Sequence, residues 1–540
     1  MIHVLTCLLT AVLIGPPVLA AGLGRVTAGV SGRTRLRRAA AALWCTAGGS
    51  LAVLVAAAIA TEPLAVGPVA LSGPALVLTP LIAVVAAIVA TFSVPYMAAD
   101  ARPRVYTERL LLLAAAALVV GISRDAVLFA LAWVATGPLL ALLVGHATGW
   151  GPADAARDRM LRVFAIGDAA LVVGVAVLCL QAGATRIAAI GAEAPMMAPV
   201  LRDLALAGII AGGVVRTAIL PASGWLLTSV AAPTPVSALM HAGLVNAGGI
   251  AIALWAPVFA SAPYTLHAVF TLGAATALVG SASMLVRPDV KRALAASTMG
   301  QMGFMMMQAG LGQIAYALYH LAAHGLFKAT LFLGAGSAVG VRKPGAPRPL
   351  AAVATALAAA LVVLGASAWL PWLDLALNDP STLLGLFAVL AAAQAAAHLP
   401  GRETRAGDLA QGVVLIAACT GLYVGGLGLV TAVLGPAARI PGMAATPLHW
   451  IVGAVFAALW LTQLIAGARG LALPAPIYAR LMALGRPRAT DADAALHTAG
   501  RRSRAPARPA IPTQRASESG PRRETGETAP NAPAVTGETP

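Results

Sequence analysis

Residues 233–250 read PTPVSALMHAGLVNAGGI, in a chain otherwise dominated by Ala, Leu, Val and Gly. Two prolines open the stretch, and His241 and Asn246 then fall within an apolar run of helical length. An imidazole or a carboxamide held among lipid tails costs free energy unless something pairs with it. The stretch therefore belongs to a helix whose polar groups turn inward, and it decides between a membrane bundle and a soluble core.

The rest of the chain settles that choice. It is 59% hydrophobic and 10% charged, with mean hydropathy +0.85. Soluble domains carry roughly 25% charged residues, so this composition leaves too little polar surface to face water. Apolar runs of about 20 residues, enough to cross a hydrocarbon core, recur throughout. A transmembrane barrel would need short alternating segments, and the runs do not alternate. The fold class is all-α, a polytopic transmembrane bundle of about 13–15 helices. Fifteen runs qualify, near 3–22, 39–60, 75–97, 106–122, 126–146, 161–181, 201–220, 235–257, 265–286, 290–310, 313–339, 349–370, 382–399, 408–434 and 448–470.

Charge follows the runs. One set of loops receives Arg25, Arg33, Arg35, Arg37 and Arg38, then Arg102, Arg104 and Arg109, then Arg157, Arg159 and Arg162. Arg287, Lys291 and Arg292, Arg342, Lys343 and Arg348, and Arg402 and Arg405 continue the same set. The alternate loops receive Arg124, Arg186, Arg202 and Arg439. By the positive-inside rule the N-terminus is outside and the C-terminus cytoplasmic, in the plasma (inner) membrane of a bacterium. The first run could serve as a signal peptide, but Met-Ile-His lacks a positive n-region, which favours a retained helix. The net charge of +16 marks topology and a basic tail, and nucleic acid is not an expected partner. Four parts follow: N-terminal helices 1–104, a core 105–340, C-terminal helices 341–472, and a Pro/Arg-rich cytoplasmic tail 486–540 too polar to fold alone.

The polar residues at membrane depth are the functional candidates. In YALYHLAAHGLFKATLFL (316–333), His320, His324 and Lys328 recur every four residues and lie on one stripe with rungs about 6 Å apart. Three titratable groups in register read as a proton relay, against the alternative of plain inter-helix hydrogen bonding. Only three lysines, Lys291, Lys328 and Lys343, stand among 36 basic residues. Arginine keeps its proton while a buried lysine can release it, so lysine at 291 and 328 points to titration there. The prolines at 233 and 235 are expected to break the helix, with His241 facing the break and Asn246, Gly243, Gly248 and Gly249 allowing close approach across it. Cys7, Cys45, Cys179 and Cys419 are scattered, so no metal site and no cofactor are expected.

PTPVSALMHAG, PDVKRALAASTMGQMGF (288–304) and YHLAAHGLFKATLFL (319–333) together resemble the antiporter-like membrane subunits of respiratory complex I and of Mrp-type cation antiporters. The resemblance covers roughly residues 105–340. It implies broken seventh and eighth helices around a central line of Lys, His and water, with His241, Lys291, His320, His324 and Lys328 at channel positions. Asp168 in FAIGDAAL matches the family's Gly-Asp. The family's channel lysine falls on Arg216, and its glutamate on Val134, so a complex I charge pair is missing. HAGLVNAGG (241–249) resembles the DabB branch, the membrane subunits of DAB-type inorganic carbon transporters. That likeness implies an ion-conducting, non-enzymatic subunit that uses H+ or Na+ to drive a DabA-like large cytoplasmic zinc partner related to carbonic anhydrase. The alternatives are a proton-translocating, L-like subunit of NADH–quinone oxidoreductase and a non-conducting membrane anchor.

Overall fold

A computed structural model describes residues 2–26, 29–337, 361, 376–397, 406–471 and 473–484. The chain is a bundle of helices: α1 (Ile2–Val26), α2 (Gly32–Ile59), α3 (Pro74–Tyr96), α4 (Pro103–Ile122), α5 (Ala126–Val144), α6 (Gly151–Ala182) and α7 (Ile187–Glu193). Then come α8 (Pro199–Arg216), α9 (Gly224–Thr228), α10 (Thr234–Ala242), α11 (Ala247–Leu254), α12 (Ala256–Phe259), α13 (Pro263–Leu285), α14 (Val290–Gly310) and α15 (Ile314–Leu333). After the undescribed stretch follow α16 (Pro380–Ala397), α17 (Ala406–Leu434), α18 (Pro447–Ala468) and α19 (Ala475–Ala483). Among the described residues ten helices are long and apolar enough to cross a membrane. Apart from residue 361, the predicted helix at 349–370 lies outside the described residues, as do the tail at 486–540 and Arg342, Lys343, Arg348, Arg402 and Arg405.

Two faces emerge at the helix ends. On one, Arg25 pairs with Glu108, Arg104 donates to the Arg25 carbonyl at 3.0 Å, and Arg102 donates to the His146 carbonyl. On the other, a two-stranded hairpin (Ala65–Val66 with Val69–Ala70) takes the Arg124 N–H on its Pro68 carbonyl at 3.0 Å, and the backbones around Asp125 and Arg186 pair antiparallel. Arg25, Arg102 and Arg104 thus gather at one set of helix ends, and Arg124 and Arg186 at another. The hairpin is a small exception to the all-α expectation. It closes loop carbonyls that would otherwise have no partner.

Two spans are interrupted. α8 ends at Arg216, and Ala218 then adopts φ +55°, a left-handed conformation that costs an L-residue roughly 1–2 kcal/mol. Seven residues pass before α9 resumes. The second interruption corrects the sequence expectation of one helix over 235–257 broken by its prolines. Pro233 caps α10 and Pro235 lies in its first turn, where a missing N–H is harmless. The break comes at Gly243 (φ −121°, ψ −63°), followed by a 3-10 turn over Leu244–Asn246 before α11. His241 therefore sits two residues before the break rather than beside the prolines. Asn246 repairs part of the damage, donating from Nδ2 to the Ala242 carbonyl at 2.9 Å. Opposite, the Gly248 N–H donates to Thr217 Oγ1 at 2.7 Å, so the two breaks stitch to each other.

α13 and α14 pack backbone against backbone. A Cβ at Gly280 would lie 2.3 Å from Gly300 N, and one at Gly303 would lie 2.4 Å from Ala277 N. Small residues replace the hydrophobic drive that lipid cannot supply between helices. The substitution Gly280→Val should therefore push the pair apart and cost about 1–3 kcal/mol or more. Thermal unfolding in detergent should show a lowered midpoint, and an unchanged midpoint would refute this close packing.

Candidate functional site

Helix α15 presents His320, His324 and Lys328 as one stripe, as their spacing requires. The His320 and His324 ring centroids are 6.0 Å apart, one helical rung. Lys328 is 1% exposed and donates from Nζ to Ser297 Oγ at 2.8 Å and toward the Leu294 carbonyl at 3.4 Å. Both acceptors belong to α14, one and two turns past Lys291. Lys291 is half-buried where α14 begins, its Nζ reaching toward the Ala232 carbonyl at 3.4 Å. Tyr96 stands close by, donating to Thr234 Oγ1 at 3.2 Å.

The α10 break meets this stripe directly. A Cβ at Gly325 would lie 2.6 Å from the Ala242 carbonyl, so α15 can approach the end of α10 only because residue 325 is glycine. His241 is fully buried there and stacks on Phe332, with 4.2 Å between ring centroids and 14° between planes. Both ring nitrogens of His241 and of His324, and Nε2 of His320, are buried without a hydrogen-bond partner among the described residues. Imidazoles placed among apolar helices without partners would be discarded by a purely structural design. They suit a site that binds water and passes protons between ring nitrogens.

Arg216 and Asp168 form a second, separate cluster. The α6–α8 contact is drawn in by Gly174 and Gly208, where a Cβ would lie 2.3 Å from the Ala205 carbonyl and 2.5 Å from the Ala170 carbonyl. Arg216 Nη2 donates to Asp168 Oδ2 at 2.7 Å and Oδ1 at 2.9 Å, and Nε donates to Oδ1 at 3.2 Å. Nη1 donates to Thr136 Oγ1 at 2.9 Å, Nη2 to the Trp133 carbonyl at 3.2 Å, and Trp133 Nε1 to Asp168 Oδ1 at 3.0 Å. The guanidinium lies 4.5 Å from the Phe164 ring centroid. Gly137 makes room for it, because a Cβ there would lie 2.5 Å from Nη2. Between this cluster and the α10 break is a cavity of about 60 Å³, lined by Leu78, Leu140, Leu239, Leu244 and Leu321 as well as Arg216. A planar guanidinium with its donors so engaged is a fixed charge, not a proton carrier.

The structure thus brings His241, His320, His324 and Lys328 together, sets Lys291 at one end, and holds Arg216 with Asp168 apart. Sequence reasoning missed Ser297, Thr136 and Trp133, which are ordinary residues until the fold aims them. It also missed a contact between His267 Nδ1 and His449 Nε2 at 3.2 Å, joining α13 to α18 across 182 positions. Among the described residues no three His, Cys, Asp or Glu side chains converge to hold a metal ion.

The buried pair makes a firm prediction. Asp168→Asn should leave Arg216 uncompensated and destabilise the chain by about 3–5 kcal/mol, whereas Asp168→Asn combined with Arg216→Met should recover much of that loss. Unfolding midpoints of the two variants in detergent check this; equal midpoints would mean that the charge is not what the carboxylate balances.

Residues 123–399 match the family described as NADH:quinone oxidoreductase/Mrp antiporter, transmembrane. A probable inorganic carbon transporter subunit, DabB1 of Halothiobacillus neapolitanus, is 38% identical over 266 residues, 48% of this chain and 47% of that protein. A probable DabB subunit of Bacillus subtilis is 36% identical over 279 residues, 51% of this chain and 55% of that protein. NADH-quinone oxidoreductase subunit L of Mycobacterium tuberculosis is 36% identical over 263 residues, 48% of this chain and 41% of that protein. The chain spans about half the length of the curated relatives it matches. Its fold is that of a chain in the Mrp complex of a Dietzia species, with TM-score 0.61 at 20% identity, over 92% of this chain and 59% of that one. The sequence match, the broken spans and the helical bundle agree: this chain is a multi-pass membrane protein that belongs to the NADH:quinone oxidoreductase/Mrp antiporter transmembrane family.

Proposed function

We propose that the chain is the ion-conducting membrane subunit of an energy-coupled inorganic carbon uptake complex. The observation that carries conduction is the buried line of unpartnered imidazoles ending on Lys328. The relatives named as carbon transporter subunits, at 36–38% identity, support the carbon assignment. In this reading Lys291 receives the ion at the arginine-rich face, and Lys328, His324, His241 and His320 relay it. Imidazole and amine nitrogens carry protons well and coordinate Na+ poorly, so the ion is H+. Arg216 and Asp168 set a fixed field beside the path. The arginine-rich face is cytoplasmic, in the plasma membrane of a bacterium, with the N-terminus outside and the C-terminus inside. Hydration of CO2 to bicarbonate would belong to a large soluble zinc partner of the DabA type, docked on that cytoplasmic face.

The second reading, an L-like subunit of NADH–quinone oxidoreductase, is supported by 36% identity to such a subunit. Val134 and Arg216 stand where that family's glutamate and lysine would pair, which weighs against its pumping cycle.

Expression of the chain with its candidate partner in cells lacking carbonic anhydrase should restore growth in ordinary air. Lys328→Ala and His324→Ala should abolish that rescue, and Lys328→Arg should too, since arginine holds its proton. Rescue by every variant would reduce the stripe to packing. Absence of rescue by the wild type, with the complex assembled, would favour the respiratory reading.

A further inference from the structure

The α15 stripe does not stop at His320. Four residues earlier on the same helix is Tyr316, so Tyr316, His320, His324 and Lys328 are consecutive rungs. Tyr316 is 4% exposed and its hydroxyl oxygen is buried. Ser381 lies beside that hydroxyl, and the charges acting on it are those of Arg439 and Asp379. Asp379 accepts from Arg439 Nη1 at 3.0 Å and from the Ser381 N–H at 2.7 Å. Exposure is graded through the cluster: Arg439 is 36% and Asp379 15% exposed at the side chain, while Ser381 is fully buried. All of this sits at the ends of α15 and α16 facing away from the arginine-rich face. Gln313, at the start of α15, adds a buried carbonyl oxygen with no donor.

We propose that Tyr316, Ser381 and the Asp379–Arg439 pair form the second mouth of the proton path, connecting the histidine line to water on the face opposite the arginines. This rests on the conducting role given above. The wet end is a carboxylate held by an arginine, the dry end an imidazole nitrogen without a partner, and a hydroxyl stands between them. Rungs about 6 Å apart accept one bridging water each. A proton arriving at the Tyr316 oxygen from the Asp379 side is matched by release of the hydroxyl hydrogen toward His320, so the phenol is neutral before and after. Arg439, paired with Asp379 at 3.0 Å, places a positive charge at the mouth that repels metal cations.

Asp379 also caps α16, and a cap alone would need no tyrosine hydroxyl at residue 316. That difference makes the proposal testable. The whole complex would be reconstituted in vesicles and proton flux followed by a pH-sensitive dye. Tyr316→Phe should assemble normally and slow flux by roughly tenfold or more, in line with losing a positioned proton donor. In a chain whose four native cysteines are replaced by alanine, Asp379→Cys should react with a charged thiol reagent added only to the face opposite the arginines, and the reaction should stop the residual flux. Tyr264→Cys, 82% exposed at the start of α13 on the same face, should react without effect on flux. Wild-type flux in Tyr316→Phe, or modification of Cys at residue 379 that leaves flux untouched, would overturn the mouth. Flux in Lys328→Ala equal to that of the wild type would instead overturn the conducting role, and the sidedness of labelling would still decide where residue 379 opens.

Discussion

Hydrocarbon does not solvate charge, and the arrangement of this bundle follows from that constraint. The spans differ widely in how far neighbours cover them, and the one carrying His241 is the most enclosed. The window across α10 and α11 is 83% buried, against 11% for that across Pro447–Gly467. α8, α14 and α15 fall outside the set that qualifies as membrane spans on hydropathy and charge together, and they are the helices bearing Arg216, Lys291 and Lys328. They can be less apolar because their neighbours, not lipid, meet their polar faces.

Two solutions to a buried charge coexist here. Arg216 is closed off: carboxylate, hydroxyl and carbonyl acceptors surround it, glycine at 137 leaves space for its plane, and an aromatic ring covers it. Lys328 is only half-answered, by one hydroxyl and one distant carbonyl, and its nearest stripe-mates are imidazoles with open nitrogens. The first arrangement completes a polar network; the second leaves hydrogen-bonding capacity unfilled among the described residues. One chain holds both, with an apolar cavity beside Arg216 on the side of the α10 break, and the hydrogen-bond partners described for Arg216 are not those described for Lys328.

Much of this was legible in the sequence, for physical reasons. Helical spans reveal themselves by length and hydropathy, and the stripe at residues 320, 324 and 328 by a spacing of four. Charged residues in the loops help to fix which ends meet, as the Arg25–Glu108 pair shows. The break in α10 was misplaced because proline is the stronger local signal, yet proline is harmless in a first turn and Gly243 is where the ladder fails. Thr136, Ser297 and Ser381 carry no signal of their own, since their part depends on what a distant helix aims at them. Tyr316 did carry one, in the same period of four, but a tyrosine among leucines reads as core until Asp379, Ser381 and Arg439 are seen around it.

The glycine contact between α13 and α14 has a mechanical consequence. With main chains touching at Gly280, Gly300 and Gly303, the two helices have no layer of side chains to slide on, and they behave as a single double-stranded strut. Thr276, on that strut, takes the Leu220 N–H at 3.1 Å and so pins the loop after α8 to it. Lys291 and the acceptors for Lys328 ride on the strut as well. Helix α15 thus meets this strut on one flank, where Lys328 reaches Ser297, and the broken α10–α11 span on the other, where Gly325 meets the Ala242 carbonyl.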